Sequence, residues 1–247
     1  MSPHLVIIPT YNEIENIEQI IRAVLVRNCL PDVLIVDDGS PDGTAAKVKE
    51  MAQEFKDRIH LLERKEKNGL GRAYIAGFKW ALDQNYDTIT EMDADFSHPP
   101  EKIDELIGQL TTDKSDVAVG SRYTHGGGVV NWPWFRLFLS RAASIYVQLI
   151  TGMGIKDPTA GFVSYKREVL SAINLDSIKF VGYAFQIEMK YAAYRLGYHI
   201  SEIPILFPDR EKGKSKMHIF IIGEALSGVF AMRFLRSYKR YKKNISA

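Results

Sequence analysis

The first 120 residues switch repeatedly between a two-residue and a 3.6-residue apolar period, and few folds accept that pattern. "HLVII" is a short apolar run ending at Pro9, and "NEIENIEQIIRAVL" follows with Ile14, Ile17, Ile21 and Val24 on one helical face. Asn12, with Glu15 three residues on, reads as the cap of that helix. "DVLIVDD" leads into "SPDGTAAKVKEMAQEF", with Ser40 as N-cap, Pro41 in the first turn, and Ala45, Val48, Ala52 and Phe55 inward. "RIHLLE", "GRAYIAGFKWALDQ", "YDTITEMD", "PEKIDELIGQL" and "SDVAVGS" continue the rhythm. Strand and helix in alternation predict an α/β fold: a mostly parallel, Rossmann-like sheet with helices on both faces.

After Arg122 the pattern changes. "YTHGGGVVNWPW" reads as a flexible, Gly-rich aromatic loop, followed by a helix from Trp134 to about Thr151. "DPTAGFVSY" is a turn entering a strand, and "GYAFQIEMKYAAYRLG" a helix with Phe185, Met189, Ala192 and Leu196 on one side. "YHISEIPILF" alternates like a strand. A charged loop, "PDREKGKSKMH", then precedes a long terminal helix starting near Ile219. No repeat or linker divides the chain, so residues 1–218 are expected to form one domain and residues 219–247 an amphipathic, basic helix at the membrane surface, with Phe220, Phe230 and Phe234 toward lipid.

Composition narrows the class. With 46% hydrophobic and 25% charged residues the chain is an ordinary folded protein. A single cysteine, Cys29, allows no disulfide within these 247 residues and fits a reducing compartment. No secretory signal is expected at the start, where "HLVIIP" follows almost at once. The longest uncharged run, Ala142 to Ile155, is 14 residues, short of the roughly 20 a spanning helix needs. The net charge of +2 hides a division: residues 210–247 hold ten basic and two acidic residues, leaving the first 209 at −6. A basic end on an acidic body calls for phosphate groups or a membrane surface as its partner.

The chemistry falls at strand ends, where open parallel sheets collect ligands. "PTYNE" follows the first strand, "VDDGSPD" the second and "MDADFS" the fourth. Asp93 and Asp95, one residue apart in extended chain, would point to the same side and repel unless a cation lay between them. Mg2+ characteristically takes one or two carboxylates and completes its shell with phosphate oxygens and water. Taken alone, the pair also fits an aspartate capping the helix at Pro99 beside a solvated one, and "VDDGSPD" also fits turn chemistry.

Seven segments, "PTYNE", "VDDGSPDGT", "GLGRAYIAG", "MDADFSHPP", "VGSRY", "DPTAGF" and "GYAFQIEM", stand in the order and spacing of family 2 glycosyltransferases of the GT-A fold. The chain most resembles the polyprenol (dolichyl) phosphate mannose synthases of that family, over roughly residues 4–218. The resemblance implies GDP-mannose as donor, a polyprenyl monophosphate as acceptor, Mg2+ or Mn2+ as cofactor and an inverting transfer. It places donor binding on Pro9, Tyr11, Glu13, Val36, Asp38, Asp93, Ala94, Asp95, Arg122, Arg210 and Lys216. Asp93 and Asp95 are the implied metal ligands, Asp95 and Arg122 the catalytic pair, and Arg122, Arg136 and Ser140 the acceptor-phosphate group. The protein is expected at the cytoplasmic face of a membrane, held peripherally, with no nucleic-acid partner.

Two departures stand out. Val163 and Ser164 follow the Gly-Phe of "TAGF" where relatives commonly carry an arginine, and Ser97 occupies a position that archaeal relatives can use for a third metal ligand. An acceptor phosphate is already anionic near neutral pH, so no catalytic histidine is expected and His98 reads as a loop residue. Taken one at a time, Arg122 and Lys216 also fit surface charges, Tyr11 ordinary packing, and Gln186 and Glu188 structural roles. Two other functions remain at this point: a UDP-hexose-dependent transferase, and a non-catalytic membrane-binding module that keeps the fold.

Overall fold

The computed structural model describes residues 3–208, 227–235 and 237–243. Its strands are β1 (His4–Thr10), β2 (Asp32–Asp37), β3 (Ile59–Glu63), β4 (Thr88–Glu91), β5 (Val117–Ser121), β6 (Gly128–Val130), β7 (Val163–Lys166), β8 (Ile200–Pro204) and β9 (Leu206–Pro208). Its α-helices up to residue 208 are α1 (Ile17–Leu25), α2 (Thr44–Glu54), α3 (Leu70–Asp83), α4 (Ile103–Thr111), α5 (Trp134–Thr151), α6 (Arg167–Ala172) and α7 (Tyr183–Arg195).

Seven strands form one sheet in the order β3, β2, β1, β4, β7, β5, β8. All pairings are parallel except those of β7, which runs antiparallel to both neighbours. Alternation along β1 sorts the core. Leu5 and Ile7 pack with α3 and α7, whereas Val6 and Ile8 pack with α1, α2 and α4. Each fully buried aliphatic chain of this kind contributes about 1.5–3 kcal/mol.

The strand-helix rhythm predicted from sequence is present, with local shifts. Helix α1 starts at Ile17, not at Asn12, because residues 11–16 form a turn in which Asn12 has φ 61° and Glu13 O accepts from the Ile17 N–H. Ile14 is consequently outside the helix and 40% exposed. Helix α2 likewise starts at Thr44. The Asp42 carboxylate, rather than Ser40, accepts the Thr44 N–H at 3.0 Å. Its buried face is Thr44, Val48 and Met51, with Ala52 and Phe55 partly covered.

Part of the glycine run is in regular structure. Gly128 opens β6, which pairs in parallel with β9, and a Cβ on Gly127 would stand 2.5 Å from the Ser121 carbonyl oxygen. Only glycine fits so close to that backbone.

The terminal segment also differs from a single helix through Lys243. Residues 227–230 are helical, Ala231–Leu235 form a wider π-type turn, and Tyr238–Tyr241 a 3-10 turn. The cause is a buried anchor. Glu188 of α7 accepts from the Arg240 guanidinium (2.5 Å) and the Tyr241 hydroxyl (3.1 Å) through one oxygen, and from the Lys179 and Phe180 N–H groups through the other. Tyr241 is buried, and Lys242 bridges Ile173. Residues 237–243 therefore dock on the domain. Val229 and Met232 join the core, while Phe230 and Phe234 stay exposed with ring centroids 4.8 Å apart. Phe220, Arg210 and Lys216 lie outside the described residues.

Candidate active site

Parallel pairing brings the three polar clusters to one edge of the sheet. Thr10 is in register with Asp37, Pro9 with Val36, and Ile7 with Glu91, so the segments that follow β1, β2 and β4 emerge side by side. Asp37 and Asp38 then take different jobs. Asp37 is buried and accepts from Thr10 Oγ1 (2.9 Å), Ser40 N (2.9 Å) and Ser40 Oγ (2.6 Å), which locks the turn. Asp38 faces Arg64 instead, with Nη1 3.0 Å from Oδ1. Burial raises the Asp38 pKa, and Arg64 partly opposes it. The Lys67 ammonium sits 4.1 Å from the Tyr11 ring centroid, and Glu13 accepts from Asn16 at 3.2 Å. Val36 sends its side chain into the core against Gly77, so only its main chain faces the edge.

The D-x-D segment is a turn beyond β4, not extended strand, with Phe96 at φ 59°. Each aspartate is braced. The Asp93 N–H donates to His98 Nδ1 (2.9 Å), and His98 stacks on Phe162 with centroids 5.1 Å apart. The buried Tyr74 hydroxyl reaches Asp93 Oδ1 at 3.4 Å. Asp95 Oδ1 accepts from Ser97 N (3.1 Å) and Ser97 Oγ (2.6 Å), so Ser97 braces the loop. Among the described residues no cluster of three His, Cys, Asp or Glu stands ready for a metal. Two partly exposed carboxylates with hard oxygens are a donor set suited to Mg2+ or Mn2+ only when a ligand's phosphates complete the shell.

Beneath this turn, Glu91 is buried and accepts from the Gln186 amide, and Lys190 donates to the Ala160 carbonyl at 2.6 Å. Burial pushes the Glu91 pKa up against the pull of Lys190, and pushes the Lys190 pKa down against the pull of Glu91. Gln186 thus belongs to the floor of the site, while Glu188 serves the terminal segment.

The residues expected from sequence to hold the acceptor phosphate gather beyond β5, which is separated from β4 by β7: Glu91 and Val119 both register with Val163. Arg122 is not a loose surface charge. Its N–H (3.0 Å), Nε (2.7 Å) and Nη2 (2.7 Å) all donate to the Asp157 carboxylate, and Nη2 also donates to Thr159 Oγ1 (2.8 Å). Burial of Asp157 works to raise its pKa, but the charge and hydrogen bonds of Arg122 outweigh that and hold it below the usual carboxylate range. Glu202 accepts from the Lys156 and Asp157 N–H groups, fixing the loop from behind. On α5, Ser140 accepts from the Tyr123 hydroxyl at 2.6 Å, and the Arg136 guanidinium carbon lies 3.8 Å from the Trp132 ring centroid. Arg141 approaches Tyr123 at 5.4 Å.

Sequence reasoning missed Arg64, Tyr74, Trp132 and Asp157 as parts of this site. "DPTAGF" pointed to the segment that holds Asp157, but its partner stands 35 positions earlier and nothing local links the two. The departures after "TAGF" have a structural reading: Val163 is buried in β7, and Ser164 shares a 2.6 Å hydrogen bond with Thr90.

Comparisons with known proteins bear on the family and the fold. The sequence is 48% identical over 224 residues to the polyprenol monophosphomannose synthase of Mycolicibacterium smegmatis, covering 90% of this chain and 83% of that one. It is 46% identical over 227 residues to the undecaprenyl-phosphate mannosyltransferase of Micrococcus luteus, covering 91% of each. Among solved structures, the glucosyl-3-phosphoglycerate synthase of Mycobacterium tuberculosis, in complex with Mn2+, UDP and glucosyl-3-phosphoglycerate, superposes with a TM-score of 0.65 at 20% identity. That match covers 97% of this chain and 81% of the other, and it bears on the fold alone. Residues 5–173 match the glycosyl transferase family 2 profile, and with two relatives above 45% identity across nine-tenths of its length the chain belongs to that family.

Proposed function

We propose that this protein transfers mannose from GDP-mannose to a polyprenyl monophosphate, with inversion, at a membrane surface and with Mg2+ or Mn2+ bound. What supports the reading is the placing of the Asp93 and Asp95 turn and the Arg122, Arg136 and Ser140 group beyond neighbouring strands on either side of β7, on a chain nearly half identical to polyprenyl phosphate mannosyltransferases. A carboxylate pair suits a nucleoside diphosphate carried on a cation; an arginine group suits a phosphate monoester.

An acceptor phosphate oxygen attacks the anomeric carbon of the donor as the bond from that carbon to the diphosphate breaks, and GDP departs. The attacking oxygen is already anionic, so no protein base is required. Arg122 and Arg136 hold the acceptor phosphate, with the Ser140 hydroxyl as a further partner. Asp93 and Asp95 would hold the cation, which supplies charge stabilisation for the leaving diphosphate. Asp38 would read the base: a carboxylate accepts from the adjacent N1–H and N2–H of guanine, whereas uracil offers a single N–H between two carbonyls.

Membrane contact is supported by the outer face of α5. Trp134 (78% exposed), Phe135, Phe138 (62%), Ile145 and Leu149 stand in solvent, and Phe230 and Phe234 are exposed on the terminal segment. Among the described residues no helix is long and apolar enough to cross a membrane. A helix with aromatic residues on one side and Arg136 and Arg141 beside them has the chemistry of an interfacial element. Calorimetry with Mn2+ present tests the donor assignment. Binding of GDP at least about tenfold tighter than UDP, lost in Asp38→Ala, is the expected result. Preference for UDP would favour a hexosyltransferase of other donor specificity, and no nucleotide binding would favour a non-catalytic module.

A further inference from the structure

The acceptor side of the site holds an aromatic ring to which the transfer chemistry assigns no part. Trp132 lies between two cations: the Arg136 guanidinium carbon is 3.8 Å from its ring centroid and that of Arg122 is 5.7 Å away. Its edge meets Phe207 of β9 at 5.7 Å and 85°, and Phe207 in turn lies 5.5 Å from Arg122. Tyr123 closes the other side of Arg122 at 5.2 Å and reaches Ser140 through its hydroxyl. Arg122 already has the Asp157 carboxylate as its counter-ion, and bringing a second guanidinium close to it still adds like-charge repulsion. A shared π-face lets both approach, because the ring quadrupole attracts each of them.

The indole has a second feature. Its Nε1 is buried and has no hydrogen-bond partner among the described residues. An indole N–H is a donor and nothing else, so a buried one without an acceptor fits a pocket whose acceptor arrives with the ligand.

We propose that Trp132 is a positioning residue for the acceptor phosphate, its indole face holding Arg122 and Arg136 convergent on one phosphate monoester and its N–H adding a donor to that pocket. Trp132 acts through the arginines assigned to the acceptor phosphate, and its ring contacts, Arg122, Arg136 and Phe207, include none of the carboxylates Asp38, Asp93 and Asp95. This inference rests on the acceptor reading proposed above.

Farnesyl phosphate serves as a soluble acceptor probe. Trp132→Leu removes the π-face and the N–H, and should raise the KM for farnesyl phosphate about tenfold, equivalent to about 1.4 kcal/mol, with the donor Kd unchanged within about twofold. Trp132→Phe keeps an aromatic ring against Phe207 and supplies the folded comparison. It should raise that KM by only about threefold, and any quenching of tryptophan emission that farnesyl phosphate produces in the wild type should be diminished. An acceptor KM unchanged in both variants, or a donor Kd that weakens in parallel with it, would overturn the proposal. Failure of the wild-type protein itself to bind farnesyl phosphate would instead overturn the acceptor reading, and so separates the two.

Discussion

Asp157→Asn isolates what the Arg122 ion pair contributes. Asp157 is fully buried and the Arg122 side chain is 10% exposed, so the pair is little screened by solvent. The amide keeps the shape but carries no charge, leaving a buried guanidinium without its counter-ion. Breaking one side of a buried pair costs about 3–5 kcal/mol. For a chain of this size about 2–4 °C of Tm accompanies each kcal/mol, so the melting temperature at pH 7 should fall by roughly 6–20 °C. The pH dependence carries a second signature. The folded-state pKa of Asp157 is depressed, so its stabilisation is present above the unfolded carboxylate value of about 3.9 and is lost as the pH falls through the lower folded value. Wild-type stability should therefore drop in this acid window, and the asparagine variant should lose less there. Calorimetric melts from pH 7 down to about pH 3 measure both effects. A variant melting within about 2 °C of wild type at pH 7, with an identical acid limb, would refute the assignment of Arg122 as a charge held by Asp157.

Other perturbations reach separate parts of the account. Arg136→Ala should weaken use of the polyprenyl phosphate by a charge-assisted contact, about 1.5–3 kcal/mol, with donor binding retained; calorimetry showing the reverse would contradict the acceptor assignment. Glu188→Ala removes the acceptor shared by Arg240 and Tyr241 and should destabilise the protein by about 3–5 kcal/mol in urea titrations; undiminished stability would mean that the terminal segment is not anchored there. Phe138→Ser on α5 should reduce partition onto anionic vesicles by at least about tenfold, because withdrawing an aromatic side chain from lipid forfeits about 1.5–3 kcal/mol. Equal co-sedimentation of variant and wild type would remove α5 from the membrane contact.

Much of the fold was legible in the sequence because its signals are local. The apolar period predicted a helix from Trp134 to about Thr151, and α5 has those bounds. Apolar runs such as "DVLIVD" are buried along their whole length, as a central parallel strand requires. The direction of β7 was not legible, since a strand's pattern is the same whichever way it runs. Helix starts at Asn12 and Ser40 were misplaced because both residues serve turns that also carry site residues. The two carboxylates of "MDADFS" and Arg122 were visible, yet their partners were not: Tyr74 stands 19 positions before Asp93, and Asp157 stands 35 after Arg122. Periodicity also could not show that a basic terminal stretch would fold back on α7, because a buried glutamate on a helix has no distinctive spacing. The answer lay in Arg240 and Tyr241 meeting Glu188 across 52 and 53 positions.

The central claim is the transfer itself, from a nucleotide-carried mannose to a polyprenyl phosphate on the Asp93 and Asp95 turn. Its most direct test is incubation of the protein with radiolabelled GDP-mannose, undecaprenyl phosphate in anionic vesicles and Mn2+, with extraction of the lipid product. The account predicts label in a mild-acid-labile lipid whose sugar is β-linked, and none with Asp95→Ala or with excess chelator. Label transferred at the wild-type rate by Asp95→Ala, or no lipid product from the wild-type protein under these conditions, would contradict it.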